Sequence, residues 1–364
     1  MTDREKEILD ILKENPMISQ QELADRLSIT RSSTAVHITN LMKKGYIRGK
    51  GYILNKSNYV TVIGGSNMDI QGSTNSPLVM FDSNPGKVDI SLGGVGRNIA
   101  ENMCRLGVDT KLISAIGNDL YGNKILSECK GLGIDVEDCF VSNEMPTSIY
   151  VSILNDSNDM QVAISHMDIL EKIDTSYINS KHQFINESLA IVIDTNLSKE
   201  AIEYITSKYS HIPIFVDTVS TAKCMKIKDI IGRFNTVKLN KLEAEALSGI
   251  EINNLKDLEL CSKILLDQGV NKVFITLGKD GVFSAAKENF IKLDGVKVDI
   301  VNATGAGDAF TASLVYCHMN DFDLEYTTKF SVASSIIALS HKNTINPNMS
   351  VDNVEKILKE MILC

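Results

Sequence analysis

One short stretch carries most of the chemical potential of this chain: Val301-Asn302-Ala303-Thr304-Gly305-Ala306-Gly307-Asp308-Ala309-Phe310. A β-branched run, Val298 to Val301, predicts a strand. The glycines predict a turn, and Ala309, Phe310, Ala312, Leu314 and Val315 predict a buried helix beyond it. Backbone N–H groups at a helix start lack intrahelical partners and sit at the positive end of the helix dipole. Small residues such as Thr304, Gly305, Ala306 and Gly307 therefore suit a phosphate lying against the backbone. Asp308 does not fit a simple anion site, because a carboxylate repels an anion. It fits a general base that takes a proton from a hydroxyl as that hydroxyl attacks phosphorus. The alternative left open by the residues alone is that Asp308 favours the helix start and the glycines serve only the turn.

Other positions could face the same crevice. Val60 to Ile63 reads as a buried strand, followed by Gly64-Gly65-Ser66-Asn67-Met68-Asp69. An aspartate beyond the carboxyl end of such a strand points towards ligand and can accept two hydrogen bonds from vicinal hydroxyls. Gly93-Gly94-Val95-Gly96-Arg97-Asn98 opens a helix to Leu106-Gly107, with Asn98 one turn in and able to hydrogen-bond a hydroxyl. Arg97 reads as structural, a partner for a helix-start carboxylate, and is left outside the site. Asn240-Lys241-Leu242-Glu243 follows a strand: Glu243 could hold magnesium through water, or the pair could be an ordinary helix cap. The chain contains no G-x-x-x-x-G-K-S/T, which excludes a P-loop and leaves Thr304–Gly307 to handle phosphate.

Thr304-Gly305-Ala306-Gly307-Asp308 resembles the D-T-x-G-A-G-D signature of the ribokinase-like (PfkB) sugar and nucleoside kinases, and the resemblance runs from about Tyr59 to the C-terminus. Gly93-Gly94 with Asn98 resembles the family's G-G-x-x-x-N-x-A element, and Asn67-x-Asp69 its sugar-binding element. The resemblance implies an α/β fold with a ribokinase-like, mostly parallel central sheet, helices on both faces and a small β lid at about 70–92 and 145–166. It implies ATP and Mg2+ as cofactors, with Asn240, Thr276, Gly278, Gly281 and Thr304 near the nucleotide and Glu243 near the metal. Gly117-Asn118-Asp119-x-Tyr121-Gly122 resembles an element that closes the sugar site, and Thr147, in the lid, is a candidate to touch substrate from above. Asn302 and Ala303 replace the signature's first Asp and Thr, beside which the family has a monovalent-cation site, so activation by K+ is an open question. Asp217-Thr218-Val219-Ser220-Thr221-Ala222-Lys223 resembles the D-P-V-S-x-x-K stretch of the pseudouridine kinases within the family, which brings Lys223 into the cofactor site. The implied reaction is transfer of the γ-phosphoryl of ATP to the 5′-hydroxyl of a nucleoside, pseudouridine first. Inosine-like nucleosides or sugars are alternative substrates, and a kinase-like sensor in a transcriptional regulator is an alternative function.

The elements that must position these residues can be read along the chain. At 364 residues it accommodates a small module of 1–56 and a large α/β domain of 57–364, and 43% hydrophobic residues supply a core. Residues 4–15 predict one helix, the capping box Ser19-Gln20-Gln21-Glu22 a second, and Thr30 a third, with Ala35, Ile38, Leu41 and Met42 inward and Gly45 as its stop. Tyr46 to Leu54 predicts a basic hairpin. The whole resembles a bacterial winged helix-turn-helix. The net charge of −9 argues against nucleic acid as a sum, yet residues 31–56 hold six basic residues and no acidic one. Arg31, Ser32 and Ser33 would read DNA, and Lys43, Lys44, Arg48 and Lys50 would neutralise phosphates; a solvated face of a protein-binding module is the alternative. From Ala190 onward strands alternate with helices, predicting a parallel sheet. Seven cysteines without metal-ligand spacing, no apolar run of membrane length and no signal sequence predict a cytoplasmic protein. Paired lids and half-site reading both lead us to expect a homodimer.

Overall fold

The first three helices start where a side chain can satisfy the N–H groups that a helix leaves unpaired. In the computed structural model, which describes residues 1–47, 58–156, 159–287 and 289–363, α1 (Asp3–Glu14) and α2 (Gln20–Arg26) each open with a reciprocal capping box, Thr2 with Glu5 and Ser19 with Glu22. In α3 (Arg31–Lys43) the Thr30 hydroxyl accepts from the Ser33 N–H at 3.1 Å. Gly45, at φ 79°, ends α3 as its spacing predicts. Ile8, Leu12, Ile18, Leu23, Ile38, Leu41 and Ile47 form the core of this unit, Met1–Asn58. Two expectations fail here. Met42 is 43% exposed, and Thr34 turns inward in its place, its hydroxyl donating to Thr30 O at 3.2 Å. Lys44 is drawn away from any phosphate-facing role by Glu5, a buried carboxylate of α1 that its Nζ reaches at 2.7 Å. That hydrogen bond leads the forces that hold the Glu5 pKa below its ordinary value. Of the predicted hairpin Tyr46–Leu54, everything after Ile47, Arg48 and Lys50 included, lies outside the described residues.

The second unit, Tyr59–Cys364, is built on an eight-stranded sheet. Its strands are β1 (Val60–Ile63), β4 (Thr110–Ile113), β9 (Ala190–Asp194), β10 (Ile214–Asp217), β11 (Thr236–Asn240), β12 (Lys272–Thr276), β13 (Val282–Ala286) and β14 (Asn289–Leu293). The order is β14-β13-β12-β11-β10-β9-β1-β4, parallel from β4 to β12 and antiparallel at β13 and β14. Strands buried on both faces need apolar side chains on both. In β9, Ile191 and Ile193 join one core with Ile202, Ile205 and Ile227, while Ala190 and Val192 join the other with Ile99, Met103 and Phe310. Because β1 lies between β4 and β9, the chain winds away from it in both directions, and such a switch point leaves a crevice beyond the strands' carboxyl ends.

A separate four-stranded sheet makes the lid: β2 (Asn67–Thr74), β3 (Gly86–Gly93), β7 (Ile149–Leu154) and β8 (Met160–His166), in the order β3-β2-β7-β8. Asn67 to Asp69 thus begin the lid rather than trail the first strand. The apolar stretch Lys111–Ile116 divides between β4 and β5 (Ala115–Gly117), and β5 pairs with β6 (Phe140–Ser142) in a sheet of its own. The predicted strand before the glycine turn is absent. Ile300 and Val301 are 64% and 60% exposed, and the Val301 N–H donates to Leu339 O at 2.9 Å, closing the end of the Leu324–Leu339 helix instead of joining a ladder. After Ser220 the helix is short, Thr221–Cys224, and continues as a 3₁₀ run, Met225–Arg233.

Replacing Lys44 by Ala leaves the Glu5 carboxylate buried with the Thr2 N–H but without its cation. We expect a loss of about 1 kcal/mol in the N-terminal unit, low for a charged partner because Lys44 is itself half in water. Equilibrium denaturation of the full chain, followed at a probe in α1, checks this; an unchanged midpoint would show that Glu5 needs no partner.

Candidate active site

The site is assembled by close approaches at three glycines. Gly305, at φ 86°, caps the helix Ala306–Met319, and a Cβ there would lie 2.1 Å from Thr344 O. Gly94, at φ 97°, caps the helix Val95–Arg105, where a Cβ would meet Gly65 O at 2.4 Å. On Gly93 a Cβ would sit 2.4 Å from both Asp69 carboxylate oxygens, so the lid acid lies directly over this glycine. The two helix starts meet through a buried hydrogen bond: Asn98 Nδ2 donates to Asp308 Oδ2 at 2.7 Å. The turn before Gly305 is held by Asn302, whose Oδ1 accepts from the Thr304 N–H at 2.9 Å and whose Nδ2 donates to Lys342 O at 3.0 Å. Thr304 itself is exposed.

Asp308 shares its surroundings with two further buried acids, Asp194 at the end of β9 and Asp217 at the end of β10. Asp194 accepts from the N–H groups of Gly65 and Gly96, each at 2.8 Å, and of Asn196 at 2.9 Å. Burial nevertheless raises its pKa. Asp217 Oδ2 accepts from Lys238 Nζ and from the Thr311 hydroxyl, both at 3.0 Å, while its Oδ1 holds the N–H of Val219, a β-branched residue at φ 60°. Burial works against the charge of Lys238, yet the acids around it, Asp217 above all, keep its pKa above the ordinary lysine value. Gly307 borders this lysine, since a Cβ there would fall 2.7 Å from Nζ. Burial, and then repulsion from Asp217, push the Asp308 pKa up to about 7, against the pull of Asn98 and Lys238. An acid so poised can take and return a proton near neutrality.

The sequence-predicted residues fall into three groups. Asp69, Asn67, Gly93, Gly94, Asn98 and Asp308 are brought together: Asn67 Nδ2 donates to Asp69 Oδ1 at 2.6 Å, and burial raises the Asp69 pKa. Nearer the other strand ends, Asn240 and Glu243 form a capping box, Asn240 N donating to Glu243 Oε2 at 2.7 Å and Glu243 N to Asn240 Oδ1 at 2.9 Å. Thr218 adds its hydroxyl to Glu243 Oε2 at 2.7 Å. Lys223 Nζ donates to Asn196 Oδ1 at 2.5 Å, and Thr276 Oγ1 to Leu239 O at 3.2 Å. Gly278 and Gly281, at φ 59° and 93°, shape the turn after β12. Thr147 stands apart. It is fully buried, its hydroxyl donating to Asp119 Oδ1 at 2.7 Å and accepting from the Gly117 N–H at 3.0 Å, so it braces that loop instead of facing a ligand. Asp194 and Lys238 were not picked out by sequence reasoning. The available signals were an acid closing the apolar strand Ala190–Asp194 and a lysine within the otherwise uncharged Thr236–Asn240. Among the described residues no cluster of three or more His, Cys, Asp or Glu is placed to hold a metal, six cysteines are free, and no helix is long and apolar enough to cross a membrane. On α3, Arg31, Ser32 and Lys43 are exposed and Ser33 half-buried.

A sheet wound both ways from β1, a four-stranded lid, and a buried acid at a glycine-rich helix start define a phosphotransferase that acts on an alcohol. Residues 57–351 match the model of the pfkB family of carbohydrate kinases, and the chain belongs to that family. Residues 1–48 match a winged helix-turn-helix DNA-binding model, so the protein joins such a domain to its kinase domain. It is 38% identical to an uncharacterized sugar kinase of Escherichia coli (strain K12), over 97% of this chain and 98% of that one. To a pseudouridine kinase of the same organism it is 36% identical, over 84% of this chain and 98% of the other. An Arabidopsis thaliana ribokinase solved with ribose and ATP shares the fold, with a TM-score of 0.73 at 18% identity over 84% of this chain and 99% of that one.

Because the folded protein raises the Asp308 pKa, the protonated acid contributes stability that is fully present below the unfolded value near 4 and is lost as pH rises through about 7. Asp308→Asn should therefore melt above the wild type at pH 8, with the gap closing towards pH 5. Thermal unfolding across that range is the check, and a gap independent of pH would remove Asp308 as its source.

Proposed function

We propose that this chain transfers the γ-phosphoryl of ATP to the 5′-hydroxyl of a nucleoside, and that pseudouridine is its substrate. The observation that carries the kinase mechanism is the Asn98–Asp308 hydrogen bond, which couples the sugar-motif helix to the acid at the anion-binding helix start. Asp69, Asn67, Gly94 and Asn98 hold the ribose. Asp308 takes the hydroxyl proton as the 5′-oxygen bonds to the γ-phosphorus and the bond to the bridging oxygen breaks, leaving ADP. The N–H groups of Gly305, Ala306 and Gly307 stabilise charge on the transferring group, each such donor contributing a few kcal/mol. Asn240, Lys223, Thr276, Gly278, Gly281 and Thr304 line the nucleotide side. Glu243, a single buried carboxylate whose Oε2 already accepts from Asn240 N and the Thr218 hydroxyl, would reach a magnesium ion held mainly by water and phosphates, and the ion would neutralise phosphate charge. K+ is not part of this proposal, because the Asn302 amide is engaged by the Thr304 N–H and Lys342 O.

Pseudouridine is favoured over inosine-like nucleosides and free sugars by the identity to a pseudouridine kinase across the whole domain and by the Asp217-to-Lys223 stretch. ADP production with pseudouridine, uridine, inosine and ribose tests this; turnover confined to ribose or inosine would overturn the substrate. Asp308→Asn should lower turnover at least ~10²-fold with little change in nucleoside affinity, whereas near-normal turnover would remove Asp308 from the mechanism.

The N-terminal domain supports a second role, binding DNA as a regulator that shares the chain with the kinase. Arg31→Ala and Lys43→Ala should each weaken binding to the operator and reduce the slope of affinity against salt by about one, while kinase turnover stays unchanged; an unaltered slope would argue against phosphate contacts. A homodimer formed through the lids fits the apolar outer face of that sheet, where Val88, Ile90, Val162 and Ile164 are all more than half exposed. The free thiols fit a cytoplasmic location.

A further inference from the structure

Arg97, read from the sequence as a structural residue, lies one position before Asn98 and is 2% exposed. Its guanidinium is surrounded by acceptors. Nη1 donates to Glu101 Oε2 at 2.7 Å, Nε to Gly93 O at 3.2 Å, and Nη2 to Asn98 Oδ1 and, at 3.4 Å, to Leu92 O. Glu101 is anchored on its other oxygen by Arg105, at 2.8 and 2.9 Å, and Arg105 reaches Pro347 O at 2.9 Å. The carboxylate partner of Arg97 is thus one helical turn further on, and Nη2 is shared between Leu92 O and the residue that touches Asp308.

An amide can present either its oxygen or its nitrogen, and its neighbours decide which. A guanidinium has donors only, so the side of Asn98 that faces Arg97 must be the oxygen. The NH2 group is then forced towards Asp308 Oδ2, where it stands at 2.7 Å. We infer that Arg97 is a positioning residue for catalysis: by locking the Asn98 amide with its N–H towards Asp308, it keeps one oxygen of that carboxylate satisfied and the other disposed to accept the hydroxyl proton. The inference rests on Asp308 being the base proposed above. Without Arg97 the amide can turn over and offer its oxygen, which repels the carboxylate and accepts only from the protonated acid. The other charged groups facing Asp308 are Asp217 from β10, Lys238 from β11 and Asp194 from β9, and none of them touches Asn98 in the described structure. Lysine cannot replace the fork fully, since one ammonium cannot serve Gly93 O, Glu101 and Asn98 in the same planar arrangement.

The test is the pH profile of kcat, measured with pseudouridine and ATP or with whichever nucleoside of the panel turns over. Arg97→Met should move the acidic limb upward by about one pH unit, equivalent to a loss of about tenfold in turnover below the limb, with most of it regained at pH 9. KM for the nucleoside should stay within about threefold, as expected for an effect on the base rather than on binding. Arg97→Lys, which retains a cation near Glu101, should restore most of the limb. In an Asn98→Leu background, Arg97→Met should add no further shift, because the group through which it acts is gone. If Arg97→Met only lowers the melting temperature and leaves the limb in place, or if the shift persists in the Asn98→Leu background, the inference is overturned. Should Arg97→Met not fold, Arg97→Gln, which keeps polar contacts but loses the charge and the fork, takes its place in both backgrounds: the limb should again move up, and a limb left at the wild-type position overturns the inference. Full turnover in Asp308→Asn would instead strike the underlying assignment of the base, a result distinct from either.

Discussion

Asp194 is the acid on which the geometry of this domain depends. One of its oxygens accepts from Gly65 N and Gly96 N, the other from Asn196 N, so one buried carboxylate ties together the loop after β1, the start of the Val95–Arg105 helix and the turn after β9. Burying such a charge is costly unless its hydrogen bonds are met, and here three backbone donors meet them. The same requirement explains the glycines around it. A Cβ on Gly64 would stand 2.4 Å from Asp194 Oδ2, and one on Gly96 would press on Gly64 at 2.8 Å. The sugar-motif helix can therefore come close enough to β1 for Asn98 to reach Asp308.

The electrostatics of the crevice follow from crowding. Asp194, Asp217 and Asp308 are all buried, and the charge of Asp217 adds to burial in raising the pKa values of both Asp194 and Asp308. Asp217 is matched by Lys238 and Thr311, and Asp194 by backbone donors, which leaves Asp308 as the acid with the least compensation. Its partner Asn98 is neutral. The protein thus places a carboxyl whose pKa is raised to about 7 at the positive end of a helix, where a phosphate would also be welcome, and avoids a permanent negative charge there.

What could be read in advance was local or periodic. The capping residues Thr30 and Ser19 marked helix starts because each acts within three residues of itself, and the strands of the parallel sheet stood out as apolar runs because both their faces are covered. The glycine turn before Asp308 and the Gly93-Gly94 pair were legible because close backbone approach admits so few residue types. What stayed hidden depends on distant partners. Lys44 looked like a phosphate contact until Glu5, 39 residues earlier, took it. Thr147 looked like a lid residue until Asp119 did the same. Val298 to Val301 has strand composition, but its neighbour is the end of a helix and not a sheet edge. Lys238 has meaning only beside Asp217 and Gly307, both far away in the chain.

Val219 brings an evolutionary corollary. A valine in the left-handed region is strained by about 1–3 kcal/mol, a burden that glycine or asparagine would relieve at once. Such a residue is an obvious casualty when a lineage adapts to heat with its enzyme idle, because most routes to greater robustness begin with sites of this kind. Here the strain is offset in part by the hydrogen bond that the Val219 N–H donates to Asp217 Oδ1 at 3.0 Å, so relieving the valine would also loosen the carboxylate that anchors Lys238.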